Sequence, residues 1–433
     1  MYKILSTAFL LLSSFAFSQI PNPALVGYWQ NWNDVNAPYI QLDQIDSRYN
    51  VIEVSFAVPQ VGTDYKMEFT PDQVSQSTLI SQIQALQAQG KKVLISMGGA
   101  TAPIALSNIA ERDTFVSTMN NIINTFGFDG IDIDFEGSSL STTGGTISTP
   151  IDAPIINLID AVKQIMSDYY YGHSKKLMLT MAPETAFVHG GQSAYGGIWG
   201  AYLPLIDALR DSLDILQVQL YNSGSMYGID GNIYSQGTSD FIVAMAEAVI
   251  QGFNTGGGPF IGLPANKIAI GLPACPSAAG GGYTNVDTVK AAMDYVRGTG
   301  PKPGTYTLLQ SGGYPTLLGM MTWSINWDAV STCGGEYEFA DNFDAIFNTP
   351  TNTPNFDPPK SFTAYPNPAN DKIYILSTIN NNEYRLLKIY NSMGENVISK
   401  LLTSNSEVLN IEELTPGIYL LNFSESSQLF VKK

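Results

Sequence analysis

The sequence predicts an α/β protein, a (β/α)8 TIM barrel followed by a small, sandwich-like all-β domain. Eight short apolar or β-branched runs alternate with longer amphipathic segments between Gln19 and Thr349, and the composition changes after that point. Alternating strands and helices give parallel strands with helices outside, and eight repeats are enough to close a barrel. An open doubly wound sheet is the rival fold, but no glycine-rich phosphate loop follows the first run.

The predicted strands follow one another along the whole of this region. They cover residues 24–29, 50–58, 91–99, 128–136, 176–184, 213–222, 266–274 and 317–326. Between them, segments such as residues 75–90, 111–127 and 155–170 carry apolar side chains three and four positions apart, the spacing of one helix face. Gly90 marks the end of the first of these helices.

The ends of the chain differ from the middle. Residues 1–18 combine a positive start, a short apolar core and small residues at the end, which predicts a secretory signal peptide. This apolar core is shorter than the ~20 residues of a spanning helix, and no other run is long enough, so we expect no membrane span. The barrel is assigned to residues 19–348, a proline-rich linker to residues 349–360 and the all-β domain to residues 361–433.

Charge and cysteine content limit the possible partners. The net charge of -17 excludes nucleic acid, which requires a basic face. Cys275 and Cys333 are the only cysteines. Export permits a disulfide between them, but two cysteines specify no framework, so a bridge and free thiols both remain open.

The segment FGFDGIDIDFEG, residues 126–137, places carboxyl groups in what otherwise resembles a buried strand. Alternate residues of a strand share a face, so Asp132, Asp134 and Glu136 point into the barrel and the hydrophobic residues between them point toward the helices. Same-face neighbours lie about 6.6 Å apart, close enough to share protons and raise at least one pKa. Glu136 is at the C-terminal end of the strand, where the active sites of barrel enzymes lie. A glutamate with a raised pKa at that place has what a general acid requires.

Two alternatives compete with acid catalysis. A hard cation needs six or more oxygen ligands from converging elements, and no second acidic cluster supplies them. An inert, hydrogen-bonded acidic core is the other alternative, and the spacing favours catalysis over both. His173 and His189 are too few and too far from cysteines or acidic clusters to suggest zinc. We expect no metal and no cofactor.

These residues resemble a known family. DGIDIDFE matches the DxxDxDxE signature of glycoside hydrolase family 18, the chitinase family. Further motifs resemble the strand ends of bacterial chitinases, in the right order: SMGG (96–99), MAPE (181–184), QLYN (219–222) and MTWSINWD (321–328). Together they cover nearly all of residues 22–348, and the resemblance implies an active site at the strand ends.

The resemblance also implies a retaining, substrate-assisted mechanism. Glu136 would protonate the glycosidic oxygen and later act as base toward water, while the substrate's own 2-acetamido oxygen attacks the anomeric carbon to give an oxazolinium ion. Asp134 would turn toward the acetamido N–H, and Asp132 would share its proton in the other orientation. Tyr221 would hydrogen-bond the acetamide oxygen and align it for attack.

Substrate-binding positions follow from the same resemblance. Trp323 would form the floor under the -1 sugar, because the C–H faces of sugars stack on aromatic rings. A core position is the alternative for any such tryptophan. The other expected substrate-binding residues are Gln219, Asn222, Met181, Glu184, Trp29 and Trp32. Many members have Met and Asp in place of the first two, which affects subsite detail and pH response.

The tail resembles a second family. SFTAYPNPAND (361–371), LLKIYNSMGENV (386–397) and LTPGIYLLNF (414–423) are similar to the C-terminal sorting domain of the type IX secretion system. This implies export by a Gram-negative bacterium, with the protein extracellular or on the cell surface. A carbohydrate-binding module is the alternative, and it predicts exposed aromatic residues.

The sequence as a whole predicts a secreted, metal-independent chitinase. We expect a monomer whose partners are chitin or chitooligosaccharides and, through the tail, the type IX secretion machinery. An endo-β-N-acetylglucosaminidase acting on N-glycan cores would share the signature, but the loops YNSGSMYG (221–228) and AAGGGY (278–283) favour chitin. A chitin-binding lectin usually lacks the catalytic carboxyl, whereas Glu136 is present.

Overall fold

The structure is a computed structural model. It describes residues 20–348, 362–377, 386–391, 395–402, 404, 406–423 and 426–433. The expected signal peptide and linker fall outside the described residues, and their bounds stay predictions. Two compact units make up the chain, with the division between Thr349 and Pro350.

The larger unit confirms the predicted barrel. Its eight parallel strands are β1 (Ala24–Gln30), β2 (Val51–Pro59), β3 (Lys92–Gly98), β4 (Gly130–Asp134), β5 (Met178–Met181), β6 (Ile215–Leu216), β7 (Ala269–Pro273) and β8 (Gly319–Trp323). Each strand pairs with the next from β1 to β6, β7 pairs with β8, and β8 pairs with β1. Two isolated parallel bridges, Leu216–Ile268 and Gln219–Gly271, join β6 to β7 and complete the ring.

Helices surround the strands. They are α1 (Gln76–Ala88), α2 (Ile109–Phe126), α3 (Ala153–His173), α4 (Leu203–Leu209), α5 (Ser239–Gln251), α6 (Val286–Arg297) and α7 (Glu338–Phe343), with single turns at Thr185–Val188 and Ile325–Asp328. Side-chain caps fix several starts: the Ser75 hydroxyl accepts the Thr78 N–H at 3.2 Å, and the Asn108 side chain accepts the Glu111 N–H at 3.1 Å. None of the helices within the described ranges is long and apolar enough to cross a membrane.

Besides the parallel eight-stranded ring, the described part of this unit contains three short antiparallel strand pairs. Met67–Glu68 pairs with the end of β2. Two hairpins follow, Ser225–Tyr227 with Ile233–Ser235 and Gly252–Thr255 with Gly258–Ile261. The first hairpin follows β6, and its Ser225 lies nine positions after Leu216.

Side chains alternate along β4 as the sequence predicts. Asp132 and Asp134 are buried and hydrogen-bond to side chains from other strands inside the barrel. Ile131, Ile133 and Phe135 lie in the main hydrophobic core, between the barrel and its helices. Hydrophobic burial on one face of β4 therefore holds its carboxyl groups on the other.

A disulfide joins Cys275 to Cys333 and answers the question that the sequence left open. Cys275 follows β7, and Cys333 lies beyond β8. The bridge spans 58 positions of sequence, and it ties together two loops at the C-terminal end of the barrel.

The smaller unit is all-β, as predicted. Its strands are β9 (Phe362–Tyr365), β10 (Lys372–Ser377), β11 (Leu386–Tyr390), β12 (Asn396–Leu401), β13 (Ser406–Asn410), β14 (Gly417–Phe423) and β15 (Ser426–Lys432). One antiparallel sheet has the order β9-β10-β13 and the other the order β12-β11-β14-β15. Both contribute to one core, with Ile373 and Leu409 from the first and Leu387, Leu421 and Phe430 from the second. The unit is therefore a small sandwich.

Candidate active site

Asp132 is fully buried inside the barrel beneath the site and is tightly hydrogen-bonded. The hydroxyls of Tyr28 and Ser96 both donate to Asp132 Oδ2 at 2.7 Å. On the other side, Thr180 Oγ1 lies 2.7 Å from Asp132 Oδ1, and Gln217 Nε2 lies 3.4 Å from it. Burial raises the pKa of Asp132, and these hydrogen bonds oppose the rise because they stabilise the carboxylate. Asp132 thus accepts hydrogen bonds from several strands, which favour its carboxylate form against burial.

A fourth carboxyl, Glu53 on β2, lies beside Asp132 inside the barrel. It is fully buried, and its Oε1 lies 3.0 Å from Thr180 Oγ1 and 3.5 Å from Gln217 Nε2. Burial raises the pKa of Glu53 well above its usual range, and the nearby charge of Asp132 raises it further. The sequence reasoning missed Glu53. Strand alternation could have found it, because Val51, Glu53 and Ser55 are two positions apart and share the inward face.

Asp134 and Glu136 form a pair of carboxyl groups, and the side-chain amide of Gln219 contacts both of them. Gln219 Nε2 lies 2.8 Å from Asp134 Oδ1, 3.0 Å from Glu136 Oε1 and 3.0 Å from the carbonyl oxygen of Ala182. The two carboxyls also interact directly, and this interaction raises the pKa of Asp134 and lowers that of Glu136. Burial, followed by the charges of Glu136 and Asp132, raises the pKa of Asp134 well above its usual range. Asp134 is therefore the carboxyl of the pair whose surroundings favour the protonated form.

Asp134 and Glu136 both line the open cleft, and Glu136 is the more exposed of the two. Burial raises its pKa, the Gln219 hydrogen bond lowers it, and the charge of Glu184 raises it again. Glu184 follows β5 and accepts the Gly137 N–H at 3.3 Å, so it sits at the mouth of the site beside Glu136. A half-buried carboxyl with a raised pKa at a cleft is suited to general acid chemistry.

Tyr221 and Asn222 follow β6 and line the same cavity. Burial and the charges of Asp134 and Glu136 raise the pKa of the Tyr221 phenol, which keeps it a neutral hydrogen-bond donor. Asn222 has a φ of 53° and is held by Gly281: its N–H donates to the Gly281 carbonyl at 3.0 Å, and its side-chain oxygen accepts the Gly281 N–H at 3.1 Å. The AAGGGY loop therefore fixes the position of this tyrosine-asparagine pair.

Aromatic rings form one wall of the cavity. Trp323, at the end of β8, stacks on Phe56 with 5.8 Å between ring centroids and 10° between planes. Trp32 stacks on the same Phe56 at 6.2 Å and 28°, and the Tyr28 ring is 5.7 Å from that of Trp323. Such a wall offers the apolar faces on which sugar rings stack.

Phe56 was not predicted, and its backbone explains why. Regular alternation along β2 would turn Phe56 outward, but the pairing of β2 with β3 shifts register between Val54 and Ala57. The irregularity turns the Phe56 ring into the barrel mouth, as β-bulges do elsewhere. Nothing in the residue pattern signals this shift.

The SMGG motif is explained by close approach. A Cβ on Gly98 would lie 2.6 Å from the carbonyl oxygen of Asp134, and one on Gly99 would lie 2.9 Å from the Phe56 ring. The Gly99 N–H donates to the Asp134 carbonyl at 2.8 Å. The two glycines therefore allow β3 to hold the end of β4 and leave room for the aromatic wall.

The cavity has a volume of about 630 Å³. Its lining contains many of the predicted residues and, in addition, residues from the segment 68–72 that begins at the short strand Met67–Glu68. The residues that line it include Tyr28, Trp32, Phe56, Glu68, Thr70, Asp72, Asp134, Glu136, Gln219, Tyr221, Asn222, Ala278 and Trp323. This is an open cleft with a carboxyl pair, a phenol and an aromatic wall, which is suited to a neutral, polar chain such as a polysaccharide.

Two predicted substrate-binding residues lie elsewhere. Trp29 is fully buried in the main core, where its indole N–H donates to the carbonyl of Ile40 at 2.9 Å. Its neighbour Tyr28 takes the inward face, so Trp29 must point outward. Met181 is also fully buried in the main core, while Thr180 takes the inward position on β5. Both expectations are corrected: Trp29 and Met181 are core residues, away from the cavity.

The histidines stand apart from the site. Burial lowers the pKa of His189 to about 4, and its Nε2 lies 2.9 Å from the Met245 carbonyl. Among the residues that the structure describes, no group of three or more metal-binding side chains is placed to hold an ion.

Comparison with known proteins identifies both parts of the chain. The model of Glycosyl hydrolases family 18 matches residues 24–364. The chain belongs to glycoside hydrolase family 18. A second model, the Secretion system C-terminal sorting domain, matches residues 363–433, and so assigns the β-sandwich.

Curated relatives of this family 18 chain carry chitinase names. It is 48% identical over 312 residues to Chitinase Chi52 of Paenibacillus xylanexedens, an alignment that covers 71% of this chain and 59% of the relative. It is 48% identical over 324 residues to Chitinase D of Niallia circulans, covering 72% and 61%. Chitinase ChiA of Flavobacterium johnsoniae is 36% identical over 423 residues, covering 92% of this chain but only 26% of that protein. The chain therefore spans about three-fifths or less of these relatives.

Solved structures of family 18 share the fold. A family GH18 chitinase from Chromobacterium violaceum superimposes with a TM-score of 0.66 at 35% identity, covering 75% of this chain and 83% of that one. A putative Chitinase A from Streptomyces coelicolor gives a TM-score of 0.61 at 30% identity, covering 75% and 99%. These matches agree with the barrel topology described above.

Proposed function

We propose that this family 18 chain is an exported chitinase that hydrolyses β-1,4 bonds between N-acetylglucosamine units with retention of configuration. One observation carries the proposal: the coupled Asp134–Glu136 pair lies in the same cavity as the Tyr221 phenol and the Trp323 ring. These are the parts that substrate-assisted hydrolysis of an N-acetylated sugar requires. The chitinase names of relatives at 48% identity support chitin as the substrate.

The acid step is assigned to Glu136. Burial raises its pKa, and Asp134 beside it passes it the proton that the pair shares. Glu136 donates this proton to the glycosidic oxygen as the bond to the leaving sugar breaks. After the leaving sugar departs, the Glu136 carboxylate removes a proton from the attacking water.

The nucleophile is assigned to the substrate. The carbonyl oxygen of its 2-acetamido group attacks the anomeric carbon, and a cyclic oxazolinium ion forms. The Tyr221 phenol donates a hydrogen bond that aligns this oxygen, and Asp134 accepts the acetamido N–H and stabilises the positive charge. Asp132 stays anionic beneath Asp134 because Tyr28 and Ser96 donate to it. The acetamide oxygen attacks the face opposite the leaving sugar, and water then attacks from the face that the leaving sugar has vacated, so two inversions give net retention.

Binding is assigned to the aromatic wall and the rim. Trp323 provides the floor for the sugar at -1, with Trp32 and Phe56 extending the apolar surface beside it. Gln219, Asn222 and Glu184 complete the polar side of the same subsite.

Export is assigned to the tail. The sandwich matches a sorting-domain family, and a signal at residues 1–18 would take the chain across the inner membrane first. We infer that type IX machinery then delivers the enzyme to the cell surface or the medium of a Gram-negative bacterium, where insoluble chitin is accessible.

The experiment that tests this function compares two substrates. The purified full chain without residues 1–18 is incubated with chitin oligosaccharides and, separately, with a high-mannose glycoprotein. Release of shorter N-acetylglucosamine oligomers from the first supports the proposal. Glycan release from the glycoprotein alone would assign an endo-β-N-acetylglucosaminidase instead, and binding without cleavage of either would assign a lectin.

A further inference from the structure

The geometry around Thr180 constrains where protons lie inside the barrel. The Thr180 hydroxyl oxygen is 2.7 Å from Asp132 Oδ1 and 3.0 Å from Glu53 Oε1. A hydroxyl has a single hydrogen and can donate it to only one of these oxygens. The other contact is a hydrogen bond only if that carboxyl carries a proton and donates to Thr180.

The surroundings of the two carboxyls decide which one is protonated. Asp132 also accepts hydrogen bonds from Tyr28 and Ser96, and such bonds stabilise a carboxylate. Glu53 has no comparable support: its Oε2 is buried and has no hydrogen-bond partner. An anion with an unsatisfied buried oxygen is costly, whereas a neutral acid at this place costs far less.

We propose that Glu53 is a positioning residue for the reaction: a neutral carboxylic acid that donates to the Thr180 hydroxyl and so directs that hydroxyl's hydrogen onto Asp132. The inference rests on the proposed function and extends it by one residue. Burial and the charge of Asp132 both raise the pKa of Glu53 well above its usual range, in agreement with the geometry. The chain Glu53–Thr180–Asp132 thereby keeps Asp132 an anion under Asp134.

The groups that face Glu53 make the arrangement sensitive to alkaline pH. Its titratable neighbours are Tyr28 from β1 and Asp132 from β4, while β5 and β6 contribute the neutral Thr180 and Gln217. If Glu53 loses its proton, one Thr180 hydrogen must serve two buried anions. Asp132 then competes for the proton held by the Asp134–Glu136 pair, and the general acid is lost.

The test is Glu53→Gln, an isosteric change that keeps a neutral donor to Thr180 and removes the titration. We expect kcat/KM at the wild-type optimum to stay within about threefold, because the amide replaces the acid as donor. We expect the alkaline limb of the pH–rate profile to move up by about one pH unit, because the ionisation that takes the proton from the acid pair no longer occurs.

A matched control separates this role from mere burial. Glu247 is also fully buried, but it accepts the Tyr306 and Tyr314 hydroxyls at 2.7 and 2.6 Å and the Leu309 N–H at 2.8 Å. In Glu247→Gln the new amide hydrogens would face donors. We therefore expect that variant to melt at a lower temperature with an unchanged alkaline limb, the reverse of Glu53→Gln.

An infrared spectrum makes the proposal independent of activity. At neutral pH the wild-type chain should show a protonated-carboxyl carbonyl band for Glu53 beside that of the Asp134–Glu136 pair, and Glu53→Gln should lack the Glu53 band alone. Loss of this band together with the shifted limb supports the proposal. An unchanged band, an unmoved limb or a more than tenfold loss of kcat/KM in a folded Glu53→Gln chain would overturn it. Failure of the wild-type chain to cleave chitin would instead refute the proposed function and leave the infrared result to decide the protonation of Glu53.

Discussion

The side-chain nitrogen of Gln219 lies 3.0 Å from Glu136 Oε1. The same nitrogen lies 2.8 Å from Asp134 Oδ1, so one amide holds both members of the carboxyl pair. The contact lowers the pKa of Glu136, while Glu184 on the other side raises it. Two neighbours thus act on the proposed acid in opposite directions, and each can be changed separately.

Glu184→Gln tests the charge at the mouth of the site. A general acid works while it is protonated, so the alkaline limb of the rate profile follows its pKa. Removal of the Glu184 charge should lower the pKa of Glu136 and move the alkaline limb to lower pH. Gln219→Leu removes the opposing hydrogen bond and should move the limb to higher pH. Limbs that move together, or not at all, would contradict this account of the Glu136 environment.

Glu136→Gln tests the acid itself. The amide retains the shape of the side chain but has no acidic proton to give the glycosidic oxygen, and we expect kcat to fall by roughly 10² to 10⁴-fold or more. Binding of chitin oligosaccharides, measured by calorimetry, should persist because the aromatic wall is untouched. A folded variant that still hydrolyses chitin at the wild-type rate would show that the acid lies elsewhere.

Tyr221→Phe tests the alignment of the acetamide. The change removes one preorganised donor to an oxygen that gains importance in the transition state, and we expect kcat to fall by about 10 to 10³-fold with little change in KM. Tyr227→Phe is the matched control. Tyr227 lies on the hairpin beyond β6 and is 38% exposed, and its loss of a hydroxyl should leave kcat unchanged. Equal effects of the two substitutions would remove the special role of Tyr221.

Trp323→Ala and Trp29→Phe test the division of the tryptophans between site and core. Loss of the Trp323 ring should raise KM by roughly tenfold, since aromatic contacts contribute about 0.5–1.5 kcal/mol beyond area burial. Trp29→Phe leaves a small cavity in the core and loses the bond to the Ile40 carbonyl, so it should lower the melting temperature without changing KM. A raised KM in a stable Trp29→Phe chain would show that Trp29 contributes to substrate binding after all.

Much of the barrel was predictable because its pattern is local. Strict alternation of acids and hydrophobes fixes the facing of β4 whatever surrounds it, and Asp132, Asp134 and Glu136 meet in space because they share one strand. The same rule turns Glu53 inward, although it was not predicted as a site residue, and turns Trp29 outward, although it was expected to bind substrate. Tyr28 faces inward, so the next residue, Trp29, faces outward, and Val51 faces inward, so Glu53 two positions later faces inward as well.

Other features depend on contacts that no local pattern records. Phe56 enters the site through a register shift in β2, which is set by the neighbouring strand. Cys275 and Cys333 are distant in sequence, and only the closed barrel brings their loops together. The Gln219 amide reaches both acids because bridges to Glu184 and Gly271 place the segment after β6 between β5 and β7.

The central claim is that the substrate's acetamido group supplies the nucleophile, and partially de-N-acetylated chitosan tests it directly. After brief hydrolysis by the full chain without its signal, the sugar at each newly formed reducing end is identified by NMR or mass spectrometry. This sugar occupied the -1 subsite. The account predicts N-acetylglucosamine at every new reducing end, whereas glucosamine at a substantial fraction of those ends would contradict it.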